Sequence, residues 1–175
     1  MRSSVSLASL LSLLVMSVGA FAQSSGDELA GYWYSEGNES IIQIEKVGGK
    51  FNGKIAWIAE PVYEKGDPDE GKPKYNREDR DKSRRHLPIV GLNMIEGFSF
   101  DSKGKKWKGG TIYDPESGKT YKCEMKFEDD EENPGSIKLY VRGYIGVPAL
   151  GRTTYWRPTP KEDLVKHELV EADKE

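Results

Sequence analysis

A single cysteine, Cys123, stands in a chain of 175 residues, so no internal disulfide can brace the fold and stability has to come from packing. Histidine is nearly as scarce. His86 and His167 lie far apart, which removes both a Cys/His zinc cluster and a Ser-His-Asp constellation. Charge of one sign is lacking too: 26 basic residues face 29 acidic ones, for a net charge of −3, and a dedicated nucleic-acid binder would be clearly basic. Long helical periods are missing as well, and 19 glycines, 9 prolines and 10% aromatic residues argue against a helix-rich core. None of the residue sets present assembles into catalytic machinery, so no enzymatic activity, cofactor or metal is expected. Asp67, Asp69 and Glu70 do not follow the ordered ligand pattern of a calcium loop and read as a solvated charge run.

What is present begins with Met1-Arg2, an apolar run from Val5 to Val18, and Ala20-Phe21-Ala22. A basic start, a short apolar stretch and an A-x-A site mark residues 1–22 as a signal peptide; the run is shorter than the ~20 residues that span a bilayer. The expected location is therefore the periplasm or the exterior. No cysteine follows the cleavage site, which excludes a lipoprotein anchor.

After a polar spacer, 23–28, the chain becomes a series of short alternating segments. Strands are expected at Gly31–Ser35, Ser40–Lys46, Phe51–Ala59, Asn93–Phe100 and Lys106–Tyr113, then through Tyr121–Phe127, Ile137–Arg142 and Gly151–Arg157. Tyr121, Cys123, Met125 and Phe127 alternate with Lys122, Glu124 and Lys126, the period-two pattern of a half-buried strand. Turn residues separate the segments, and nothing between them is long enough for a helical crossover, so the sheet is antiparallel. An up-and-down barrel of about eight to ten strands removes the open edges. It is not expected to be a membrane-spanning barrel, because the strand face Lys122, Glu124, Lys126 is charged where an apolar outer face would be needed. The barrel domain covers 29–158. A charged tail, 159–175, follows, with a helix possible over Lys161–Ala172. One segment breaks the rhythm: Glu60 to Arg85 is charged nearly end to end and reads as a long surface excursion.

Several runs form a recognisable set: Gly31-Tyr32-Trp33, Gly53-Lys-Ile-Ala-Trp57, Leu87-Pro-Ile-Val-Gly-Leu92, Trp107 to Pro115, Val141-Arg-Gly-Tyr-Ile-Gly146 and Gly151-Arg-Thr-Thr-Tyr-Trp156. Together they resemble the secreted bacterial family called domain of unknown function number twenty-one forty-seven, whose fold is similar to that of the lipocalins. The resemblance implies a calycin-type barrel with an internal cavity, in which Trp33 plugs the base and Arg152, on the last strand, lies over its ring.

The candidate ligand-binding residues follow from this. Trp57, Tyr113, Tyr121, Met125 and Phe127 are cavity walls or plain core. Arg142 and Tyr144 face outward by alternation, unless a bulge at Gly143 turns one inward, where an arginine would suit a carboxylate or phosphate. Asp114 is either the opening residue of a type I turn or a polar anchor beside those arginines. Cys123 is a small buried apolar group. Two functions are open: a carrier of a small, partly apolar or amphiphilic ligand in the barrel, or a protein-interaction module whose barrel is filled. Cavity volume separates them.

Overall fold

The structure, a computed structural model, describes residues 25–171; the signal-peptide reading of 1–22 and Ala172 in the tail lie outside it. Eight strands follow one another: β1 (Gly31–Tyr34), β2 (Ser40–Val47), β3 (Lys50–Ile58), β4 (Asn93–Asp101), β5 (Lys106–Asp114), β6 (Lys119–Asp129), β7 (Ile137–Tyr144) and β8 (Arg152–Pro158). Each pairs antiparallel with its sequence neighbour, and β8 returns to β1, closing the barrel expected from the alternation. The closure is brief. Trp33 and Tyr34 face Pro158 and Arg157, and the Thr159 amide donates to the Tyr32 carbonyl at 2.9 Å.

Local chemistry explains the turns. Val47 and Lys50 pair across Gly48-Gly49, whose φ values of 58° and 78° are those of a two-residue hairpin turn that only glycine adopts without strain. Four register shifts then re-phase the strands. Ile41 pairs with Trp57 but Ile42 pairs with Ile55, so Ala56 is an extra residue in β3. Gly97 in β4 (φ 78°) and Gly109 in β5 (φ 80°) mark two of the others, and in the remaining one Gly53 faces Ile95 but Lys54 faces Asn93, so Met94 is extra in β4.

An apolar core occupies much of the barrel interior. Ile42, Ile44, Phe51, Ile55, Ile95, Phe98, Trp107, Cys123, Met125, Leu139, Val141 and Trp156 are buried in one cluster, each large side chain worth about 1.5–3 kcal/mol on leaving water. Gly110 makes room for this packing, since a Cβ there would lie 2.2 Å from the Phe98 ring.

Residues 26–28, expected as spacer, instead help build a plug at one end. A 3-10 turn, Asp27–Leu29, crosses that end of the barrel. The Trp107 indole N–H donates to the Gly26 carbonyl at 3.0 Å, and that of Trp33 to the Leu29 carbonyl at 2.9 Å. Around them Trp33 stacks on Phe127, which meets Trp107 edge-on, and Phe51 and Phe100 pack against Trp107.

The tail helix α1 (Lys161–Lys166) is shorter than the 161–172 expectation. Glu168 turns left-handed (φ 58°) and the Leu169 amide donates back to the Leu164 carbonyl, which ends the helix. Leu164 is buried against Tyr34 and Ile41 on the outside of the barrel.

Candidate functional site

The opposite end of the barrel gathers the β1–β2, β3–β4, β5–β6 and β7–β8 connections, and the long β3–β4 excursion covers it. Leu92 joins the barrel core, and Leu87 and Ile89 pack against it. Backbone hydrogen bonds weld its return to β3: the Ile55 amide to the Leu92 carbonyl at 3.0 Å, and the Gly91 amide to the Ile55 carbonyl at 2.7 Å.

The charge run inside the excursion is largely neutralised within itself. Arg77 grips Asp67 with two hydrogen bonds of 2.8 Å and stands over the Tyr63 ring, 4.2 Å from its centroid. That bidentate grip, with a backbone amide from Asp69, holds the Asp67 carboxyl down at about 2. Asp69 is taken by Lys72 and the Tyr75 hydroxyl, which lower its pKa in turn. Among the described residues no group of three His, Cys, Asp or Glu side chains is arranged to hold a metal ion.

A buried polar latch ties the excursion to the wall. The Tyr113 hydroxyl donates to Asn76 Oδ1 at 2.6 Å, and Asn76 Nδ2 donates to Asp79 Oδ2 at 2.8 Å. Asn76 is fully buried and Asp79 nearly so. Arg84 stands 3.5 Å from the Asp79 carboxylate and over the Tyr113 ring. Burial alone would raise the pKa of Asp79, but hydrogen bonds from the Asp81 amide and Asn76, with Arg84 nearby, bring it below the ordinary value. Gly118 completes the seam: a Cβ there would lie 1.8 Å from the Glu78 carbonyl oxygen.

The expected cavity residues therefore divide. Tyr121, Met125 and Phe127 do face inward, Met125 fully buried and Tyr121 half-buried. Trp57 does not: the extra residue Ala56 turns it outward, where it stacks on His167 (centroids 4.1 Å apart) beneath the tail. Tyr113 has the parity of the outward Thr111, which pairs with the exposed Lys122, and the excursion covers it. Arg142 and Tyr144 also lie on the outer face, since their partners across β6 are Glu124 and Lys122. Arg142 donates to the Pro148 and Ala149 carbonyls and to the Thr153 hydroxyl, bracing a loop instead of a ligand. Asp114 takes the turn role, accepting from the Glu116 amide and the Ser117 hydroxyl.

The Trp33–Arg152 pair needs correction. Pro158 faces Trp33, so Arg152, six residues earlier on an extended strand, lies roughly 20 Å away near the other end of the barrel, and it is exposed. The arginine at this closure is Arg157, over the ring of Tyr34 at 4.5 Å.

Solvent-open hollows lie at the barrel rim beside the β6–β7 loop and within the excursion. One, of about 550 Å³, is lined by Phe127, Glu128, Asp129, Glu131, Ile137, Lys138 and Tyr155. The other, of about 380 Å³, lies in the excursion between Pro73, Lys74, Tyr75, His86 and Pro88. Cys123 is inert within the wall: burial pushes its thiol up to about 12. Sequence reasoning missed the Asn76–Asp79 latch, whose residues are hidden in the charge run, and the β7–β8 loop, whose signal is six consecutive residues without a polar side chain.

The model of a family described as an uncharacterized protein conserved in bacteria (DUF2147) matches residues 31–157. No curated protein matches the sequence. Among solved structures, the protein HP1028 from Helicobacter pylori, described as belonging to the lipocalin family, superposes with a TM-score of 0.62 at 18% identity, over 83% of this chain and 92% of that one.

Proposed function

Since the chain belongs to this family of uncharacterized bacterial proteins, we propose that it is an exported, non-catalytic binding module that works through its outer surface and loops. The observation that carries this reading is the filled interior. The core runs from Leu29, under the aromatic cluster at one end, to Leu92, beneath the latched excursion at the other. A ligand of ordinary size needs a hollow of about 300 Å³ or more, and the hollows described open to solvent at the β6–β7 rim and in the excursion, not in the middle of the barrel. Export is supported by the N-terminal run and its Ala20-Phe21-Ala22 site.

A carrier of a small amphiphile is the second reading, favoured by two inward side chains near the excursion end, Ile112 and Tyr121, that remain half-exposed beside Gly143. Titration with a series of fatty acids, followed by tryptophan fluorescence, separates the two. Trp107 and Trp156 are buried in the interior, so a guest there changes their emission. The filled barrel gives no saturable change; a saturable change at one equivalent supports the carrier and overturns the surface reading.

A further inference from the structure

The connection between β7 and β8 runs from Ile145 to Gly151, and its first six residues, Ile145-Gly146-Val147-Pro148-Ala149-Leu150, are exposed. Leu150 is 81% exposed, Ile145 67% and Val147 54%. Contiguous apolar surface of this kind marks a contact site. The loop is also built to hold its shape. Arg142 Nε donates to the Pro148 carbonyl at 2.7 Å and its guanidinium reaches the Ala149 carbonyl at 3.2 Å. Within the loop the Leu150 amide donates to the Val147 carbonyl and the Gly151 amide to the Pro148 carbonyl. At its base Gly151 approaches β7 so closely that a Cβ would lie 2.6 Å from the Gly143 carbonyl oxygen. A tip fixed in this way loses little conformational entropy on docking.

We infer that this tip docks the barrel, excursion end down, on a lipid surface that carries anionic headgroups. Ile145, Val147 and Leu150 enter the boundary between headgroups and acyl chains. Size argues for lipid over protein. Six protruding residues fall well short of the roughly 800 Å² per partner of a standard protein interface. A lipid boundary accepts a small apolar protrusion without a matching shape. Charge argues the same way. Lys119 and Lys122 on β6 and Arg152 on β8 flank the loop, are exposed, and among the described residues none of the three forms an ion pair. Such cations draw a protein to anionic lipid. The acids at this end are Glu36 and Glu39 beside the β1–β2 turn, Asp114 and Glu116 in the β5–β6 turn, where Asp114 is engaged with its own turn, and those of the excursion from Glu60 to Asp81, which the cations of the same segment, Lys65 to Arg85, balance in number. The inference deepens the surface-acting reading by naming the surface and its occupant, and it fails separately from the filled barrel.

The test is flotation of the purified protein with vesicles of phosphatidylcholine alone or mixed with phosphatidylglycerol, at low and high salt. The expected result is binding to the mixed vesicles that weakens with salt. Ile145→Asp with Leu150→Asp lowers it by about tenfold or more, with an unchanged melting temperature because both side chains are in water. Arg152→Ala weakens binding to mixed vesicles while leaving the melting temperature alone. Absence of flotation by the unmodified chain, or equal flotation by the double variant, overturns the inference. So does concentration-dependent self-association that the double variant abolishes, which would put a second copy on the tip.

Discussion

Tyr113 shows how much one hydroxyl decides at the residue scale. It donates to an amide oxygen that has no access to water, and that amide holds Asp79. Tyr113→Phe keeps the ring and leaves Asn76 Oδ1 without this donor, a loss of about 1–3 kcal/mol that denaturant unfolding reads directly. Hydrogen exchange in residues 76–84 is expected to quicken in the same variant. An unchanged midpoint would mean that the latch contributes nothing. Trp33 and Arg152 make the opposite pair. Arg152→Ala is expected to stay within about 0.5 kcal/mol of the parent because the side chain is exposed. Trp33→Ala removes a stacked, hydrogen-bonded indole and costs about 3–5 kcal/mol. Comparable losses in the two would restore the arginine to the tryptophan.

At the scale of elements, the excursion carries Asp67 and Asp79, carboxylates held below their ordinary pKa by partners that protonation would release. The folded pKa of Asp67, about 2, lies below its ordinary value. The Asp67–Arg77 grip therefore contributes fully above about pH 4, and its contribution is lost as pH falls toward 2. Asp79, also lowered, acts in the same direction. Exchange of amides in 60–91 should thus accelerate below about pH 4, before the strands themselves loosen, and Arg77→Ala should remove much of that dependence. Simultaneous loosening of strands and excursion would contradict it. The strands were legible from sequence because alternation and turn residues report them directly: all eight lie where the pattern put them, and the β6 face of Tyr121, Cys123, Met125 and Phe127 points inward as read. The misplacements trace to features with no period-two signature. An extra residue, Ala56, turned Trp57 outward, and the β5 bulge at Gly109 did the same for Tyr113. The excursion concealed its order because Asn76 finds Tyr113, and Leu87 to Leu92 find β3 and the barrel core, in space and not along the chain.

For the whole molecule, the proposed surface function follows from an apolar core that runs through the barrel from Leu29 to Leu92. The lipocalin likeness supplies the architecture, and at 18% identity it supplies nothing about a guest. Side chains decide that question, and here Phe98, Trp107, Met125, Leu139 and Trp156 occupy the volume that a ligand would take. The most direct test is native mass spectrometry of the protein purified from a periplasm without delipidation, set against the same sample denatured. The bare polypeptide mass in both, and still in the native sample after incubation with fatty acids and other amphiphiles, is the expected result. An added mass that is present in the native sample and disappears on denaturation would contradict the filled barrel and make the protein a carrier.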